Sequence, residues 1–146
     1  MSTLIVSAAS QAERIATGRL WWVGPLAVIT SVVANSIVRV IAVALFDISP
    51  EFAPLAWGPL IFLTVAGVTG AVIVFAVVSR FSRRPIRLFR IIAAVTLLLS
   101  FTPAFALLAA KPFPGTNARS AGTLMLMHVV AATISVGLLE KLTREK

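Results

Sequence analysis

Residues 22–46 read WVGPLAVITSVVANSIVRVIAVALF, and the only charge among them is Arg39. An apolar run of this length crosses a hydrocarbon core of about 30 Å as a single helix. Three further runs have the same character, so helices are expected over about 22–46, 59–78, 88–109 and 121–139. The short intervening loops make sequential helices antiparallel neighbours. The expected fold is therefore all-α, a four-helix transmembrane bundle running up-down-up-down, with residues 1–146 as one membrane domain. Composition agrees: 59% hydrophobic and 12% charged residues, with a mean hydropathy of +1.01, lie outside the range of soluble domains.

Charge sets the orientation. Ten of the thirteen basic residues fall in three groups: Arg14 and Arg19; Arg80, Arg83, Arg84, Arg87 and Arg90; and Lys141, Arg144 and Lys146. A four-pass chain brings all three to one side, whereas the opposite loops carry Lys111, Arg119, Asp47 and Glu51. The positive-inside rule then makes both termini and the 79–87 loop cytoplasmic. Arg80, Arg83, Arg84, Arg87 and Arg90 are expected to contact anionic lipid headgroups there, at about 1 kcal/mol each. Topology accounts for the net charge of +8, so nucleic acid is not an expected partner. Residues 1–19 read as a cytoplasmic segment. The capping-box spacing of Ser10 and Glu13 marks the start of a short interfacial helix. Trp21, Trp22 and Trp57 suit the membrane–water interfaces, and Pro25 and Pro59 suit first helical positions.

Several chemistries drop out. The chain has no cysteine, which removes disulfides, thiol redox chemistry and thiolate metal sites. One histidine is too few for a zinc site, and no metal or other cofactor is expected. A haem or pigment ligated by His128 is a lesser alternative that requires a partner. No phosphate-binding loop, dinucleotide fingerprint or nucleophile elbow occurs, so the chain reads as a non-enzyme with no catalytic residue.

What remains is a polar layer. Arg39 lies seven residues before Phe46, His128 seven after Ala121, and Thr102 seven before Ala109, each about 10 Å below the outer boundary. Asn35 is one turn from Arg39, and Pro103 frees the Leu99 carbonyl from its usual partner. A guanidinium at that depth costs at least about 2.5–3.5 kcal/mol and marks a site by default. In one reading Arg39 holds an anionic ligand or lipid headgroup in an outward-facing pocket completed by Asn35, His128 and Thr102. In the other, Arg39 snorkels to outer headgroups or Asp47, and the chain is a structural or assembly subunit. Its 66–71 face, with small residues at Ala66/Gly70 and Gly67/Ala71, would then pack helices closely or dock a second copy or a larger membrane complex.

Taken together, Ala34-Asn35, Trp57-Gly58-Pro59, RFSRRPIR at 80–87, LSFTP at 99–103 and LMHVVAA at 126–132 resemble a bacterial family of four-helix integral membrane proteins known only as a domain of unknown function. The resemblance implies the four-helix fold and the bacterial cytoplasmic (inner) membrane, and no activity. Asn35 and His128 coincide with its recurrent polar positions, whereas the role of Arg39 rests on the physical argument alone.

Overall fold

The computed structural model describes residues 14–145. The interfacial helix expected to begin near residues 10–13 starts outside them, and the described part of that segment holds one 3-10 turn, Thr17–Arg19. The described residues form helices α1 (Leu20–Phe46), α2 (Trp57–Phe81), α3 (Pro85–Ser100), α4 (Thr102–Ala110) and α5 (Ala118–Thr143), with no β-strand among them. Because α3 and α4 follow one another almost directly, the described residues hold four spans long and apolar enough to cross a membrane.

The helices run beyond the apolar runs, for reasons visible at their ends. α5 starts at Ala118 because Asn117 caps it: its side-chain oxygen accepts from the Arg119 and Ser120 amides, at 2.9 and 3.0 Å. The Ser120 hydroxyl in turn accepts from the Asn117 amide, completing a capping box. Neither Pro25 nor Pro59 opens its helix. Pro59 is the third residue of α2, where its missing N–H would have had no intrahelical partner anyway. Pro25 lies inside α1, where it removes one helical hydrogen bond. Asp47 and Lys111 end α1 and α4 in the left-handed region, at φ 49° and 46°.

Pro103 divides the third span. Its ring cannot take its place in a continuing helix, so α3 stops at Ser100 and the Phe101 N–H turns back to the carbonyls of Leu98 and Leu99. The Leu99 carbonyl is thus engaged rather than free. The Ser100 hydroxyl donates to the Leu97 carbonyl at 2.6 Å.

Two apolar clusters hold the bundle. One gathers Val23, Phe75, Val78, Phe89 and Leu139, with the Phe75 and Phe89 rings edge to face at 4.8 Å. The other gathers Ala42, Leu60 and Met127 with Ile48, Phe52 and Leu55 of the 47–56 loop. α1 packs closely on both α5 and α2. At Gly24 a Cβ would stand 3.2 Å from Val72 Cγ1, so glycine sets the α1–α2 approach. Gly115 (φ 75°) does the same between loops, since a Cβ there would meet Ser49 Cβ at 2.5 Å. The chain ends are also joined: the Ala16 amide donates to the Thr143 carbonyl at 2.8 Å, and the Glu145 amide to Arg14 at 3.0 Å. Large apolar side chains such as Trp21, Phe62, Phe81 and Leu98 are exposed around the outside, the distribution of a helix bundle whose solvent is hydrocarbon.

Candidate functional site

A gap opens between α2, α3 and α5. Three residues, Ser82 to Arg84, connect α2 and α3, and the Phe75–Phe89 contact clamps them near that turn. Further along they part. The face of α2 turned to the gap carries Ala66, Gly67, Gly70 and Ala71, and a Cβ added at Gly67 or Gly70 would meet nothing within 4 Å. The 66–71 face therefore makes no close helix–helix approach within the chain. It bounds a cavity of about 470 Å³ whose other walls are α3 and α5. Only 6% of the third span is buried by the rest of the protein, against 22% for each of the other three.

The cavity is long and mostly apolar. Its α2 wall runs from Leu60 to Val74, and fourteen residues at 1.5 Å each make it about 21 Å long. Its volume lies within the range of roughly 300–1,000 Å³ usual for small-molecule sites. Polar groups interrupt the wall at a few points: Asn35 from α1, Thr64 from α2, Thr96 and Ser100 from α3, and His128 and Ser135 from α5.

Asn35 is 3% exposed and donates from Nδ2 to the Thr64 hydroxyl at 3.1 Å. Its Oδ1 is buried with no partner, a condition that ordinarily costs about 1–3 kcal/mol. The Ser31 hydroxyl, one turn away on α1, is also buried and unpartnered. His128 Nδ1 lies 2.7 Å from the Leu124 carbonyl. A carbonyl only accepts, so Nδ1 carries the proton in this contact, and in that imidazole tautomer Nε2 is the acceptor.

Arg39 and Thr102 stand apart from this wall. Arg39 Nε donates to the Leu55 carbonyl at 2.6 Å, and its guanidinium carbon sits 4.2 Å from the centroid of the Trp57 ring. It thereby ties α1 to the 3-10 turn Ala53–Leu55 and the first residue of α2. A carbonyl and an indole face supply what Asp47 was expected to supply, and Arg39 does not line the cavity. Thr102 opens α4 as an exposed residue, also outside the cavity. Of the four candidates, Asn35 and His128 share one wall.

Among the basic residues expected at headgroups, Arg80, Arg83, Arg84 and Arg87 are exposed near the α2–α3 turn. Arg90 has a protein partner. Its Nε and Nη2 reach the two Glu140 carboxylate oxygens at 2.7 and 2.6 Å, bridging α3 to α5. Glu140 was hidden from the hydropathy reading because the apolar run ends at Leu139, whereas α5 continues to Thr143. Thr64, which depth along the helix does not single out, is the group that fixes the Asn35 amide.

Residues 15–145 match the model of a family of unknown function (DUF6069). No curated protein and no solved structure matches the chain.

Proposed function

The chain belongs to that family, and we propose that it is a non-enzymatic, multi-pass membrane protein that holds a long apolar molecule in the cavity between α2, α3 and α5. One observation carries this reading: the cavity is about 470 Å³, extends along α2, and is lined by apolar side chains with Thr96, Ser100 and His128 among them. The sequence pointed to an anion held by Arg39. The Leu55 carbonyl and the Trp57 ring engage that guanidinium, which favours a structural role for Arg39 and moves the site to the cavity.

A helix of a partner protein is the competing occupant, since the 66–71 face is open. A helix about 10 Å across needs more room between α2 and α3 than a single alkyl chain does, and we favour the chain. A flexible chain entering sideways from the lipid fits better.

The bilayer we assign is the bacterial cytoplasmic membrane, with both termini and the 82–84 turn inside and the helices alternating in direction. The joined chain ends and the exposed arginines near that turn support this arrangement. Because the chain has no cysteine, single replacements test it directly. A membrane-impermeant maleimide added to intact cells should label Glu51→Cys and spare Arg83→Cys; the reverse pattern refutes the orientation.

The cavity is tested by filling it. A Cβ at Gly67 or Gly70 meets nothing within 4 Å, so Gly67→Leu/Gly70→Leu should fold and span as the parent does. Co-purifying lipid-like adducts, read by native mass spectrometry, should fall at least severalfold in the variant. Undiminished adducts with an intact fold would show that the cavity is not where they sit.

A further inference from the structure

The polar groups around the cavity are mostly acceptors, and this constrains the ligand. Ser100 and Ser135 each spend their hydroxyl proton on a carbonyl of their own helix, Leu97 and Ala131, at 2.6 and 2.7 Å. They offer lone pairs to anything in the cavity. With the amide nitrogen of Asn35 assigned to the Thr64 side, the group left without a partner is the acceptor Oδ1. His128 donates through Nδ1 to Leu124, leaving Nε2 to accept. Uncommitted protons remain on the Thr64 and Thr96 hydroxyls, which donate or accept as required, and on the second N–H of Asn35 Nδ2. No lysine or arginine lines the wall.

We infer that the cavity selects a long-chain amphiphile with a neutral, hydrogen-bond-donating head, a hydroxyl in the simplest case, and discriminates against a carboxylate or phosphate head. The inference rests on the cavity being the binding site and adds the chemistry of what it binds. A hydroxyl in the cavity donates to His128 Nε2 or to the lone pairs of Ser100. A carboxylate there meets lone pairs without a counter-charge, in surroundings of low dielectric where that mismatch is most costly. Donor pairing gained on one side and acceptor repulsion on the other separate the two heads by about tenfold or more in affinity.

The test uses the full chain in lipid nanodiscs and a hexadecan-1-ol photoprobe whose diazirine sits on the alkyl chain, away from the head. Unlabelled hexadecan-1-ol and hexadecanoate compete for labelling at alkaline pH, where the acid is ionised. The alcohol should displace the probe at a concentration about tenfold lower than the acid. His128→Phe, a change at an exposed residue, should shrink that ratio severalfold while chain labelling persists. Equal or better competition by hexadecanoate, or an unchanged ratio in His128→Phe, overturns the donor-head inference and leaves the cavity as an apolar site. Labelling that maps away from α2 and α3 and is insensitive to Gly67→Leu/Gly70→Leu defeats the cavity reading itself, and the inference with it.

Discussion

α2 meets a glycine of α1 on one side and carries glycines of its own on the other, and the two sides pack to opposite ends. Toward α1, Gly24 brings the backbones together until a Cβ would press on Val72 at 3.2 Å. Toward α3, Gly67 and Gly70 face open space. Small residues permit close approach without producing it, and the approach needs an opposing surface that presses in. α1 is pressed by α5 as well as α2, so its seam closes. The third span also meets α2 and α5 but is the least buried, at 6%, and its aromatic and ionic clamps lie near its start. Packing and site therefore lie side by side on one helix, and substitutions distinguish them.

The largest stability effect should come from the closed seam. Gly24→Leu forces an extra side chain between α1 and α2, an overpacking that typically costs about 1–3 kcal/mol. We expect the upper part of that range, read as a lower thermal midpoint in detergent. A neutral result would mean that the seam is looser than the Gly24–Val72 approach indicates.

A smaller effect is expected at the clamp of the open seam. Glu140→Ala removes the bidentate partner of Arg90, whose side chain is 62% exposed while that of Glu140 is 10% exposed. With one partner open to solvent, the loss should be about 1–2 kcal/mol, below that of a fully buried pair. Because the bridge ties α3 to α5 beside the cavity, probe labelling should rise or fall with it. Loss of stability with unchanged labelling would separate the clamp from the site.

Arg39→Leu should change stability least, and for a reason that magnitudes decide. The variant gives up a charge-assisted hydrogen bond of about 1.5–3 kcal/mol and a cation–π contact of about 0.5–1 kcal/mol. It also removes a guanidinium whose burial in the membrane costs about 2.5–3.5 kcal/mol. The net change should lie within about 1 kcal/mol, with ligand retention unaltered. Selective loss of ligand in this variant would restore the anionic reading.

These contrasts explain what the sequence revealed and withheld. Span number follows from hydropathy at a fixed rise per residue, and the break in the third span follows from Pro103. Helix ends depend on single caps, and the Asn117–Ser120 box carried α5 three residues ahead of its apolar run. At its other end α5 outlasts that run, which is why Glu140 went unread as the Arg90 partner. The polar layer was legible as depth along each helix and illegible as direction around it. Depth alone grouped Arg39 and Thr102 with Asn35 and His128. Their facing sends Arg39 to Leu55 and Trp57, and leaves only Asn35 and His128 on the cavity wall. Nor does a stripe of small residues state whether a neighbour fills it; Gly24 and Gly70 read alike and act differently.

The most direct measurement is an experimental structure of the full chain in nanodiscs made from its native lipids. Elongated density between Leu60–Val74 of α2 and the facing part of α3, with its polar end within hydrogen-bonding distance of His128 or Ser100, is the result expected. A structure in which α3 closes onto Gly67 and Gly70 in van der Waals contact, leaving no space for a chain, would contradict it.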